Sequence, residues 1–150
     1  MTFREAVEAI PELAGGYQSG LRALREADRN KVTAAAPRNL RGSVDLDTKL
    51  RPMYPNDPRW DYCVAVTMTG GEQVYWIEVH PATEGEIGAV LGKFRWLKGW
   101  LRTAASRLDN LPKEFVWVSS GRSALTQRSP KVRQLALEGV AFKGGHLRIP

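Results

Sequence analysis

Asp61, Glu78 and His80 are the residues through which this chain first suggests chemistry. They lie in Trp60–Ala82, WDYCVAVTMTGGEQVYWIEVHPA, two runs rich in Val, Tyr and Thr around Gly70-Gly71. Such a pattern signals a two-residue hairpin, and Pro81 ends the second strand because it cannot donate to a ladder. With the two glycines at the centre of the turn, Asp61 faces His80 and Cys63 faces Glu78. Side chains alternate with period two, so Asp61, Cys63, Glu78 and His80 share one face and Tyr62, Val64, Val66, Ile77 and Val79 share an apolar one. A slip of two residues changes these partners but keeps the faces. A lone mid-strand carboxylate among apolar neighbours is costly, whereas two converging carboxylates suit a hard cation. Mg²⁺ or Mn²⁺ takes carboxylate oxygens, often two from protein with waters completing the shell. His80 would then position or deprotonate a bound water, or ligate the softer Mn²⁺. Each residue also has a structural reading: Asp61 as a partner of Arg59, Glu78 in an ion pair, His80 as a hydrogen-bonded strand end.

The elements around the hairpin follow from periodicity. Thr2-Phe3-Arg4-Glu5 is a capping box opening a short helix, and Tyr17–Thr33 predicts a second helical run with Leu21, Leu24 and Val32 inward. Residues 1–36 thus read as an N-terminal helical part and 42–150 as the core of one domain. Gly42–Leu50, GSVDLDTKL, alternates and predicts a strand with Asp45 and Asp47 on one side; Asp47 is a further metal ligand if that strand faces the same way. Arg51–Arg59, with three prolines, is a loop. From Thr83 or Glu84 to about Leu108, apolar residues recur at helical spacing, with Lys93, Trp96 and Trp100 on another face. Glu114–Ser119 is a short apolar run of the buried, often parallel, kind. Pro130–Glu138 is a helix with Ser129 as its cap and Gly139 after its end, and His146–Ile149 is a last strand. The expected class is α/β: an antiparallel three-strand meander plus following strands in a mixed central sheet, flanked by helices.

At 150 residues, 43% hydrophobic and 25% charged, the composition is that of an ordinary single globular domain. Nothing approaches a membrane span. The amphipathic N-terminus lacks a signal-peptide core, and a single cysteine, Cys63, permits no internal disulfide, so a cytoplasmic location is expected. The formal charge of +6 favours polyanions, nucleic acid first, although simple solubility also explains it. Arg95, Lys98, Arg102, Arg122 and Arg128 are the expected phosphate-facing residues. The lone GxS near Ser123 lacks the glycine pattern of a serine-hydrolase elbow, and no Walker or dinucleotide loop is present.

The element order, with Asp61 at the start of the second core strand and Glu78-Val79-His80 in the third, resembles the PD-(D/E)XK nuclease superfamily, the restriction-endonuclease-like fold. The resemblance spans about residues 17–149, by topology more than by sequence. It implies a Mg²⁺- or Mn²⁺-dependent nuclease with Asp61 and Glu78 as ligands, acting on DNA more than on RNA, through a metal that polarises the phosphoryl oxygen and acidifies a bound water. His80 stands where the family's motif has lysine. Some members recruit a lysine from the following helix, which implies Lys93, and some use an acid from the first helix, which implies Glu26. Without a catalytic cation near the acids, the reading becomes an inactive relative that binds nucleic acid or a protein partner, an immunity or antitoxin type included. A homo-oligomer is compatible with either.

Overall fold

The computed structural model describes residues 1–150. Its elements are α1 (Phe3–Glu8), β1 (Val32–Ala34), β2 (Leu40–Asp45), α2 (Leu46–Leu50), β3 (Tyr62–Met68), β4 (Gly71–His80), α3 (Ile87–Ala104), α4 (Ser106–Asp109), β5 (Lys113–Ser119), α5 (Pro130–Glu138), β6 (Val140–Phe142) and β7 (Leu147–Ile149). The class is mixed α/β. Five strands form one sheet in the order β2-β3-β4-β5-β6, while β1 and β7 make a separate parallel pair. The β2-β3-β4 meander is antiparallel, and β5 and β6 add in parallel. No helix is long and apolar enough to cross a membrane.

Both faces of the sheet are buried. One carries Cys63, Ala65, Val74 and Trp76 and packs under α1, α3 and α5 through Phe3, Val90, Phe94, Leu97 and Leu135. The other carries Tyr62, Val64, Val66, Ile77, Val116 and Val118 and is covered by Leu24 and by the β1–β7 pair. The near-continuous apolar run of β3 reflects burial on two sides. The capping box of α1 forms as expected.

Four expectations are corrected. The hairpin turns on Thr69-Gly70, with Met68 across from Gly71 and Cys63 across from Trp76, because Gly71 itself, at φ 124°, opens β4. This is a slip of two residues, so the partners change and the faces stay. Tyr17–Thr33 is not a helix. Gly20 takes a positive φ, Gln18 bridges to Ser43, and only a 3₁₀ stretch, Glu26–Lys31, precedes β1. The Tyr17 ring lies against Gly42, where a Cβ would stand 2.3 Å from ring carbon Cε2, and its hydroxyl donates to the Arg41 carbonyl. The predicted strand Gly42–Leu50 stops at Asp45, whose side chain accepts from the Thr48 N–H and starts α2. Finally, β6 is the sheet's fifth strand, and the last predicted strand pairs with β1 instead. Ser129 makes no capping hydrogen bond, although Gly139 ends α5 at φ 121°.

Candidate active site

Continuing the β3–β4 register by one residue sets Asp61 directly across from Glu78. Two cross-links fix this pairing: the Asp61 N–H donates to Glu78 Oε1 at 3.2 Å, and the Val79 N–H donates to Asp61 Oδ2 at 2.9 Å. The site therefore lies at the carboxyl end of β4, beside its parallel neighbour β5, where open α/β sheets place ligands. Trp117 on β5 donates to the His80 carbonyl and holds that end of the strand.

Lys93 comes from α3. It lies three residues after buried Val90 and four before buried Leu97, so helical geometry aims it at the sheet. Its Nζ is 2.6 Å from Glu78 Oε2. Glu78 has 0% exposure, so that ammonium is the principal compensation for a carboxylate removed from water. His80 sits between two acids, with Nδ1 3.4 Å from Glu78 Oε2 and Nε2 2.7 Å from Glu86 Oε2. The Glu78 hydrogen bond, only partly opposed by burial, raises its pKa.

Asp61 is held from its other side by Arg25. The guanidinium reaches Asp61 Oδ1 at 2.9 Å and Asp45 Oδ1 at 2.8 Å, and it lies over the Tyr62 ring. Burial, followed by the neighbouring Glu78 charge, nevertheless pushes the Asp61 carboxyl up to about 7, against the Val79 N–H, Lys93 and Arg25. Two carboxylates sharing a buried corner are thus incompletely compensated by one ammonium and one guanidinium.

Asp61, Glu78, His80 and Lys93 are brought together by the fold. Asp47 is not, which corrects its assignment as a ligand: the strand has already ended, and α2 turns Asp47 toward Arg51 and Arg59, at 2.8 and 3.0 Å. No third His, Cys, Asp or Glu joins the pair as a metal-holding group. Glu26 is exposed on the 3₁₀ stretch, and the acid nearest Arg25 there is Asp28, at 3.7 Å. The five proposed phosphate-facing residues do not form one surface. Arg95, Lys98 and Arg102 run along the outer face of α3, opposite Lys93, and Arg95 pairs with Glu138 of α5 at 3.7 Å. Arg122 and Arg128 are exposed on the loop after β5; Ser120 and Ala124, which flank Arg122, hydrogen-bond back to His80 and Ala82, whereas Gln127, beside Arg128, bonds to the Phe142 carbonyl of β6. Sequence reasoning missed Arg25 and Glu86. Glu86 was legible only as an acid at a helix start, and Arg25 stands in a predicted helix that does not form.

Burial disposes of Cys63 as a site residue. It is fully buried, and desolvation raises its thiol pKa, so it is inert. No family model, curated protein or solved structure matches this chain.

Proposed function

We propose that the chain is a metal-dependent nuclease-like domain of the restriction-endonuclease-like class, hydrolysing phosphodiester bonds in DNA more readily than in RNA. The observation that carries this reading is the meeting of Asp61, Glu78 and Lys93 at the end of β4. An aspartate entering the second meander strand, a glutamate inside the third and a lysine from the next helix supply the acid pair and the ammonium that the motif needs. The topology supports it: an antiparallel meander, a long helix, then a parallel strand.

The donor set fits a hard divalent cation. Two carboxylates suffice for Mg²⁺ or Mn²⁺ when waters fill the remaining positions. The Asp61 pKa is raised by burial first and by the neighbouring Glu78 charge second, and added positive charge would offset both. Asp61 and Glu78 would hold the ion, which, when bound, supplies Lewis-acid polarisation and an acidified water. Lys93 orients Glu78 and places positive charge beside a substrate phosphate. His80, held between Glu78 and Glu86 with its pKa raised, is a positioning residue that orients Glu78 and, as a cation, adds positive charge beside the substrate phosphate. The lone buried thiol is consistent with a cytoplasmic setting.

A specific observation favours a second reading, an inactive relative that binds nucleic acid or a protein: Arg25 and Lys93 already engage both carboxylates. Calorimetric titration of Mg²⁺ and Mn²⁺ into wild type and Glu78→Gln separates the two, alongside cleavage of supercoiled plasmid. The nuclease reading expects metal binding and nicking by wild type and neither by the variant. If wild type binds no metal and cuts neither DNA nor RNA, the inactive relative replaces it.

A further inference from the structure

Beside the acid pair, a polar groove of about 300 Å³ is lined by Gly15, Gly16, Arg22, Asp45 and Lys49 among others. We propose that this groove is the track for the substrate's phosphodiester backbone, carrying the phosphates next to the one that is cut. The proposal rests on the nuclease-like reading and gives that site its approach path.

Three observations support it. First, the groove adjoins the site through one side chain. Its wall includes Asp45, and the Arg25 guanidinium that holds Asp45 at 2.8 Å holds Asp61 at 2.9 Å. Second, its cations are uncommitted. The ion pairs of the molecule engage Arg25, Arg51, Arg59 and Lys93 in this region, and neither Arg22 nor Lys49 takes part in one. The groove's carboxylate, Asp45, is compensated by Arg25 and spends its oxygens on Thr48. Third, Lys49 is held in place. Its stem lies across the Gly15-Gly16 turn so closely that a Cβ on Gly16 would stand 3.0 Å from Lys49 Cγ, and Gly15 takes φ +73°. A lysine stem packed on a glycine turn has already lost much of the rotamer freedom that binding would otherwise cost.

Arg22 also lines a second groove, together with Leu21 and Arg29. Lys49 and Arg22 thus line one groove and Arg22 and Arg29 the next, so Arg22 joins the two. Spaced positive groups free of ion pairs are what a polyanionic backbone recognises, through a salt-dependent and sequence-independent attraction.

The test is fluorescence anisotropy of a labelled duplex with the full chain in Ca²⁺ or chelator. Wild type is compared with Arg22→Gln, Lys49→Met and the double variant, substitutions that keep the stems and remove the charges. Each single change should weaken binding severalfold and lower the log–log salt slope by about 1. The double variant should lower it by about 2. Arg95→Gln with Lys98→Met, on the outer face of α3, should leave affinity unchanged. Circular dichroism melts confirm that the variants fold. If wild type binds duplex and the double variant binds equally well, the track is wrong while the nuclease reading stands. If inorganic phosphate or a mononucleotide competes as well as unlabelled duplex at equal phosphate, the groove is a small-anion site and the track is again overturned. If wild type binds no nucleic acid at low salt, both readings fall together.

Discussion

Asp47 and Asp61 lie at the two ends of one proline-rich loop, and the Asp47 N–H donates to the Asp61 carbonyl at 3.3 Å. Their side chains nevertheless meet opposite electrostatic conditions. Burial works against the charge on Asp47, but Arg51, Arg59 and Arg25 outweigh it and lower its pKa. Asp61 has one guanidinium, greater burial and a second carboxylate beside it, and its pKa rises to about 7. Asp47 is satisfied by its neighbours, whereas Asp61 is left under-compensated in a buried corner, the pattern that marks a functional-site candidate. The difference separates Asp61 from the aspartate that the sequence offered as a further ligand on condition that its strand faced the same way.

The largest expected effect is on catalysis. Asp61→Ala and Glu78→Ala should each lower metal-dependent cleavage by about 10²–10³-fold or more, the scale of losing one preorganised electrostatic partner. Asp47→Ala should leave the rate little changed. Equal losses at all three positions, measured by plasmid nicking, would erase the contrast.

Next comes stability. Lys93→Met leaves the Glu78 carboxylate buried with only His80 nearby, and breaking a buried pair costs about 3 kcal/mol or more. Chemical denaturation in chelator should show this, whereas Arg51→Met, at the exposed edge of the Asp47 cluster, should cost about 0–1 kcal/mol. It also follows that Glu78→Gln does not stabilise the metal-free protein, since it strands an ammonium and an imidazolium.

The pH dependence sharpens the comparison further. The folded pKa of Asp61, about 7, lies above its ordinary 3.8. Its contribution to stability is therefore present below that ordinary value and is lost as pH rises toward neutrality. His80, also raised, contributes below its ordinary 6.5 and loses that contribution as pH climbs through its higher folded pKa. Asp47 behaves in reverse: its contribution is present above 3.8 and is lost as the solution becomes more acid. In chelator, Asp61→Asn should remove a decline on the order of 2 kcal/mol between mild acid and neutrality. Melting curves across pH in which Asp47→Asn produced that change instead would reverse the assignment. The smallest effect is that of Asp47→Asn at neutral pH, about 1 kcal/mol or less for a partly exposed cluster.

Much of this was legible in the sequence. The shared face of Asp61, Glu78 and His80 follows from period-two alternation and survives a register slip of two. Lys93 was reached through the family resemblance alone, since helical spacing set it with Trp96 and Trp100 on another face than the apolar stripe. Arg25 was not legible, because its position depends on a segment with no regular secondary structure, tied to β2 by Gln18 and Tyr17. Asp47 was misplaced because strand alternation also fits a strand that stops at an aspartate cap: Asp45 caps α2 through its own carboxylate. The sheet's fifth strand, only Val140–Phe142, was too short to leave a periodic signal.

The parallel pairing of Val32–Ala34 with Leu147–Ile149 has a consequence for the order of events during synthesis. The meander, α3 and β5 can assemble as the chain leaves the ribosome, with Asp61, Glu78 and Lys93 among them. The segment carrying Arg25 runs directly into β1, and β1 has no strand partner until β7 has emerged. The sheet face that carries Tyr62, Val64 and Ile77 is therefore the last to be covered, closing only when these two distant strands zip together.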